Sequence, residues 1–311
     1  MMVSAPAMRW PWLLLLLAGG VATAPSHVAA ARGTKMLPTV SYVSTAADDR
    51  YATRLTVAPD GMGTLVVGSN RDARTRPIGY FQAQLPPELA QRLAAVVSGA
   101  AFAASATQPS LVPDESYRRI QVRMPDGAER DKLAGEQITT PPAFGQAEAV
   151  LHDAVAVLMK SPVAALAMAM TTQAQRVPAG EALVTEVTLA NVGRVSYRIP
   201  APAQWSARGV SCELSALRSD IALASLGMKD QQFVHFDAGH LAGAQPPITD
   251  DAIRLSPGER VRLQFRSVIA WPPGEYRLEL ALTLTAVGDD DKAVFSGVVV
   301  SPPTPLQVFA P

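Results

Sequence analysis

Tyr276-Arg277-Leu278-Glu279-Leu280-Ala281-Leu282-Thr283-Leu284 is the cleanest extended pattern in the chain. Large apolar residues fall at every second position, the side-chain period of a strand that buries one face. Working outward, the same period returns. Leu183, Thr185, Val187 and Leu189 alternate with Glu186 and Thr188, and Val261, Leu263 and Phe265 alternate with Arg262, Gln264 and Arg266. Val163 to Met170, Ser196 to Ile199, Val210 to Leu217 and Phe295 to Val300 add strand-like runs, with Leu306 to Phe309 as an edge. Val177-Pro178-Ala179-Gly180-Glu181 and Asn191-Val192-Gly193 punctuate them as turns. About seven strands with no helical period predict an all-β sandwich over residues 161–311.

Residues 40–160 read differently. Tyr51, Thr53, Leu55 and Val57 share one face of a strand, Pro59-Asp60-Gly61 turns, and Thr64 to Val67 returns. Pro86-Pro87-Glu88 opens a helix whose apolar face is Leu89, Leu93, Val96 and Val97, ending near Gly99, with Phe102 packed beneath. A second hairpin runs from Tyr117 to Met124, through Pro125-Asp126-Gly127, into Glu129 to Leu133. A longer helix follows from Pro141 or Pro142 to Lys160, striped by Phe144, Ala147, Leu151, Ala154, Val155 and Leu158, with His152 on the surface. The expected fold class is therefore α+β, an antiparallel sheet with two helices, followed by an all-β immunoglobulin-like sandwich. Pro162 and the change of period predict two independently packed domains joined near Lys160-Ser161-Pro162.

Two resemblances accompany this reading. Tyr51-x-x-x-Leu55-x-Val57-x-x-Asp60-Gly61, Gly68, the helix ending in Phe102 and the Asp126-Gly127 hairpin resemble a small secreted bacterial domain family of unknown function, which implies a fold and no activity. Ala179-Gly180-Glu181, Val187 to Gly193, Leu255-Ser256-Pro257-Gly258-Glu259 and Pro272 to Leu278 are similar to bacterial immunoglobulin-like extracytoplasmic domains. That likeness implies a sandwich used for adhesion, spacing or partner binding, and in some members protease inhibition.

Residues 1–31 have the layout of an export signal. Arg9 precedes an apolar stretch containing Leu13 to Leu17, and small residues follow at Ala22-Thr23-Ala24 and Ala29-Ala30-Ala31. Cleavage is expected between residues 24 and 31, leaving a periplasmic or secreted protein. No later segment reaches 18 apolar residues, so no stable membrane insertion is expected after cleavage.

Composition narrows the chemistry. With 27 basic and 27 acidic residues the chain lacks the basic surplus of a nucleic-acid binder. The single cysteine, Cys212, excludes an internal disulfide and multi-cysteine metal sites, and its alternating surroundings predict burial. The sequence holds no H-E-x-x-H, G-x-S-x-G, S-x-x-K or G-x-x-x-x-G-K-[ST], and no cofactor is expected. Ser69 to Pro77, with Arg71, Arg74 and Arg76, reads as a solvated loop, and Asp289-Asp290-Asp291 as a solvated hairpin tip. Ser219 to Asp251 reads as one long loop. Within it His235, Asp237 and His240 form the one local His/Asp group, a candidate metal site that only an irregular loop would gather. The leading expectation is a non-enzymatic binding or interaction module with an envelope or extracellular protein partner. The alternatives are a metal-dependent or hydrolytic enzyme using residues 235–240, and a proteinase inhibitor on the sandwich.

Overall fold

The computed structural model describes residues 36–45, 51–110, 115–136, 138–248 and 250–311, which belong to one compact unit. The export reading of residues 1–31 lies outside them.

The first half is built on strands β1 (Thr39–Thr45), β2 (Thr53–Val57), β3 (Met62–Val67) and β4 (Ile78–Gln84), joined by β5 (Tyr117–Arg123) and β6 (Glu129–Ala134). They run antiparallel in the order β6-β5-β1-β2-β3-β4. Both Pro-Asp-Gly turns work in the same way. The Asp60 carboxylate accepts from Met62 N at 2.9 Å and Asp126 from Ala128 N at 3.0 Å. Gly61 and Gly127 then take φ of +84° and +87°, open to glycine at little cost.

Helices α1 (Pro87–Ser98), α2 (Ala100–Ala104) and α3 (Pro142–Leu158) contribute Leu89, Leu93, Val97, Phe102, Phe144 and Leu151 to the core. The short α2 is an addition to the two expected helices. The extended Gly99 breaks the chain between α1 and α2. His152 is exposed, and among the described residues no helix is long and apolar enough to cross a membrane.

The expectation of two independently packed domains is corrected. Pro162 opens a strand, β7 (Pro162–Thr172), that pairs antiparallel with β4 through Ile78↔Leu166 and Gly79↔Ala165. After β8 (Arg176–Pro178), β9 (Ala182–Asn191) takes the other side of β7. The sheet ends with β15 (Arg260–Val268) and β13 (Leu241–Gln245), giving β13-β15-β9-β7-β4-β3-β2-β1-β5-β6. Consecutive residues Ala164, Ala165 and Leu166 are all buried, as in a strand covered on both faces. Gly79 permits the junction: it has φ +136°, and a Cβ there would lie 2.2 Å from Ala164 O.

The second sheet centres on the 14-residue β16 (Gly274–Val287). On one side lies β11 (Ser211–Arg218), followed by β12 (Gln231–Phe236). On the other side lie β17 (Ala293–Val300) and β18 (Thr304–Phe309), end to end, with β8 parallel to β18. Ser301 bridges the break between them: its N donates to Leu280 O, and its hydroxyl accepts from Leu280 N at 3.0 Å. A small pair, β10 (Tyr197–Pro200) and β14 (Ala252–Leu255), abuts the far end of β16. The sheets meet where Phe236 stacks on Phe265 at 4.7 Å and Tyr197 donates to Ala165 O at 3.0 Å.

One loop expectation is corrected, and a second holds for the exposed Arg71, Asp72, Thr75 and Arg76 but not for Asn70. Residues 219–251 contain β12 and β13, each pairing at the edge of a different sheet. Their signal is weak because the outward side of β12 carries Phe233, 50% exposed, beside His235, so polarity does not alternate. The loop Ser69 to Pro77 is docked. Buried Asn70 donates to Arg74 O, Arg76 O and Val300 O, and accepts from Val300 N at 2.7 Å. Val298 N reaches Gly68 O at 2.8 Å, and Arg74 pairs with Glu279 at 2.9 Å. Cys212 is buried as expected, and burial pushes its thiol pKa up.

Candidate functional site

The sequence-derived group divides into two pairs. His235 leaves β12 on its exposed side, with Nε2 3.5 Å from Glu213 Oε2 on the facing strand. Asp237 caps the turn Ala238–His240, accepting from Gly239 N at 2.8 Å, His240 N at 3.3 Å and His240 Nδ1 at 2.8 Å. The His240 contact leads the effects that hold the Asp237 carboxyl below the usual carboxylate range. Between them Phe236 points inward, its ring 5.9 Å from that of His240. Among the described residues no three His, Cys, Asp or Glu side chains are grouped to hold a metal ion.

Two larger concavities lie elsewhere, and both stand on β16. Its even-numbered residues Leu278, Leu280, Leu282 and Leu284 are buried in the core. The alternate side chains Thr283, Thr285 and Val287 face the concavities.

The first cavity, about 690 Å³, opens where β1 ends and β5 begins, with Ser44, Thr45, Tyr117 and Arg118 on one wall and Thr283 and Val298 opposite. Arg71 and Asp72, from the docked loop, also border it. Arg118 is fixed from behind. Its guanidinium donates to Glu148 at 2.9 Å and to Thr140 Oγ1 at 2.8 Å, and lies 5.8 Å from the centre of the Phe144 ring. Glu148 also accepts from the Tyr42 hydroxyl at 3.0 Å. Burial, reinforced by the Glu148 charge, pushes the Tyr42 phenol above its ordinary range. Thr45 is 7% exposed, and its Oγ1 is buried with no hydrogen-bond partner among the described residues.

The second cavity, about 620 Å³, continues past Thr285 and Val287 and is walled by Arg198, Gln204, Arg208 and Asp251. Trp205 Nε1 donates to Pro200 O at 3.0 Å and pins the irregular segment carrying Gln204 and Arg208. Arg198 donates through Nη2 to Gly288 O at 3.2 Å and to Asp291, while its buried Nε has no partner among the described residues. The tip residues are ion-paired: Asp291 with Arg198, Asp289 with Arg254 and Asp290 with Lys292.

Thr283 and Thr285 are two residues apart on one strand face, about 7 Å. One cavity ends at Thr283 and the next begins at Thr285, with the Thr285 hydroxyl 2.8 Å from that of Ser296. The outward row of β16 thus carries two adjoining cavities with no lining residue in common, a two-part groove. Sequence reasoning missed it because its walls come from segments far apart in the chain. The one available signal was the polar outward row of β16.

No family model matches the chain, and no curated protein matches it. Solved structures with partial similarity include the ApaA protein from Bordetella pertussis, at 14% identity over 47% of this chain and 96% of that one, with a TM-score of 0.28. Another is the CARDB domain of the PF1109 protein from Pyrococcus furiosus in complex with di-metal ions, at 12% identity over 47% of this chain and 90% of that one, TM-score 0.25. A third is Spo0M, a sporulation control protein from Bacillus subtilis, at 12% identity, 47% and 50% coverage and TM-score 0.27. These likenesses are too slight to carry an argument about the fold or chemistry of this chain.

Proposed function

We propose that this chain is an exported, non-enzymatic binding protein of the bacterial envelope or exterior, and that its ligand lies in the groove across β16. In this reading the first half is an α+β layer, the second an immunoglobulin-like sandwich, and the shared sheet holds them in fixed relation. Export rests on the layout of residues 1–31. The observation that carries the binding role is the groove itself. Two cavities of about 690 and 620 Å³ follow one another along a single strand, each within the size range of small-molecule sites.

Retention on envelope material tests this reading. Labelled wild-type chain and a Thr285→Tyr variant are incubated with insoluble and soluble envelope fractions. Thr285 is exposed, and tyrosine suits a strand, so the variant keeps its fold while filling the groove floor. Retention of wild type with loss in the variant supports the proposal. Equal retention of both, or turnover of a substrate by the purified protein, overturns it.

A further inference from the structure

We infer that the groove takes a linear, uncharged, polyhydroxylated chain, an oligosaccharide long enough to cross both cavities. This inference rests on the binding role proposed above and adds the ligand class. Four observations lead to it.

The first is the floor. An extended peptide gains most from an open sheet edge, where its main chain adds a strand. Thr283 has no open edge, since it is paired with Ser211 on β11 and with Val298 on β17. Recognition across the groove therefore falls to side chains. The second is charge. The first cavity sets Arg71 and Arg118 against Asp72 and Glu136. The second sets Arg198 and Arg208 against Asp251 and Asp291. A strongly ionic ligand meets repulsion in each cavity as well as attraction. Vicinal hydroxyls, in contrast, both donate to carboxylates and accept from guanidinium groups.

The third is the lining. Ser44, Thr45, Thr53, Ser69 and Ser116 give the first cavity a hydroxyl-rich wall, and Tyr51 and Tyr117 add two rings of the kind that stack on the C–H face of a sugar. The fourth is that one lining residue of each cavity, Thr45 and Arg198, carries a side-chain polar atom, Oγ1 and Nε, with no hydrogen-bond partner among the described residues.

A printed array of neutral, acidic and basic oligosaccharides identifies the preferred series. Calorimetric titration with that series, from monosaccharide to hexasaccharide, then measures the length dependence. The expected result is binding of a neutral series whose affinity rises with length and levels off once both cavities are spanned. Thr285→Tyr should abolish the gain with length. Thr45→Val keeps the shape of the side chain and removes the unpartnered hydroxyl. It should weaken binding roughly threefold to tenfold while leaving the melting temperature unchanged or higher. Opposite signs for affinity and stability separate a ligand contact from a structural one.

Binding of an acidic glycan or a peptide that is lost in Thr285→Tyr overturns the ligand class and leaves the binding role standing. Neutral glycan binding indifferent to both substitutions overturns the site. Absence of any ligand sensitive to Thr285→Tyr, on the array and in the envelope fractions, overturns both readings.

Discussion

Replacing Asn70 by alanine should unhook the docked loop from β17 and cost about 3–5 kcal/mol of stability. Asn70 is 4% exposed, and its amide nitrogen lies 3.2, 2.9 and 3.0 Å from the carbonyls of Arg74, Arg76 and Val300. Its carbonyl accepts from Val300 N at 2.7 Å. Truncation leaves the buried Val300 N–H without that acceptor, at about 1–3 kcal/mol, and the loss of the two amide N–H donors, shared among three carbonyls, adds about 1 kcal/mol each. The assay is equilibrium urea unfolding, comparing midpoints at equal slope. It is paired with brief trypsin digestion, since the cleavable Arg71 and Arg74 lie in the released loop, whereas Arg76 precedes Pro77 and resists trypsin. Cleavage there should become the first event.

An Asn70→Asp variant gives an internal control. It keeps an acceptor for Val300 N but sets a carboxylate against three carbonyls, so its folded pKa is raised above its unfolded value. Its destabilisation should therefore be largest at neutral pH and shrink as the pH falls and the carboxyl protonates. A loss below about 1 kcal/mol in Asn70→Ala with an unchanged digestion pattern would refute the view that this side chain clips the halves together.

Three further outcomes follow from the same structure. Thr185 is fully buried in β9 with its Oγ1 unpartnered among the described residues, so Thr185→Val should raise stability by about 1 kcal/mol in thermal melting; a drop would mean that the hydroxyl is satisfied. Gly79→Ala should cost about 3 kcal/mol or more, or prevent folding, because it combines a positive φ with a clash against Ala164 O; a wild-type melting curve would contradict the β4–β7 junction. The Arg218 contact leads the effects that lower the Asp220 pKa to about 2, so its contribution is present above the ordinary range near 4 and is lost as the pH falls through about 2; carboxyl NMR titration should show this, and Arg218→Ala should raise the Asp220 pKa toward the ordinary value, with the backbone hydrogen bonds keeping part of the shift.

What could be read from the sequence depended on how local the determining forces are. β9, β15 and β16 bury one face against a polar one, so their period of two is written in the residues themselves. The Pro-Asp-Gly turns and the striped α3 are equally local. The union of the halves is not. β4 and β7 are both apolar, and nothing in either sequence says which edge each will meet. β12 escaped because an exposed edge strand bearing Phe233 and His235 has no polar side to reveal it. His235, Asp237 and His240 are close in sequence, yet backbone direction sends His235 to Glu213 and leaves Asp237 paired with His240. The groove has the opposite character. Its hydroxyl residues are ordinary surface types, informative only once the fold collects them.

The two asparagines connect these points. The chain contains only Asn70 and Asn191, and both are buried at turns leaving strands, 4% and 1% exposed. Asn191 donates to Val195 O and Leu255 O at 2.9 Å and accepts from Gly193 N at 2.8 Å, the same use of a side-chain amide as at Asn70. Neither an acid nor a hydroxyl can donate to several carbonyls and accept an N–H at once. Asn191 ties a turn to β14, within the second half. Asn70 ties the first half to β17. The β4–β7 ladder is a second, separate attachment between the halves. A single attachment would leave a hinge, whereas two fix an angle, and the first cavity lies in that angle, with Arg118 on one side and Thr283 on the other. The width of the groove is therefore set by residues that do not line it. Asn70→Ala should lower affinity for a ligand crossing both cavities while leaving the contacts of the second cavity, with Arg198 and Arg208, intact.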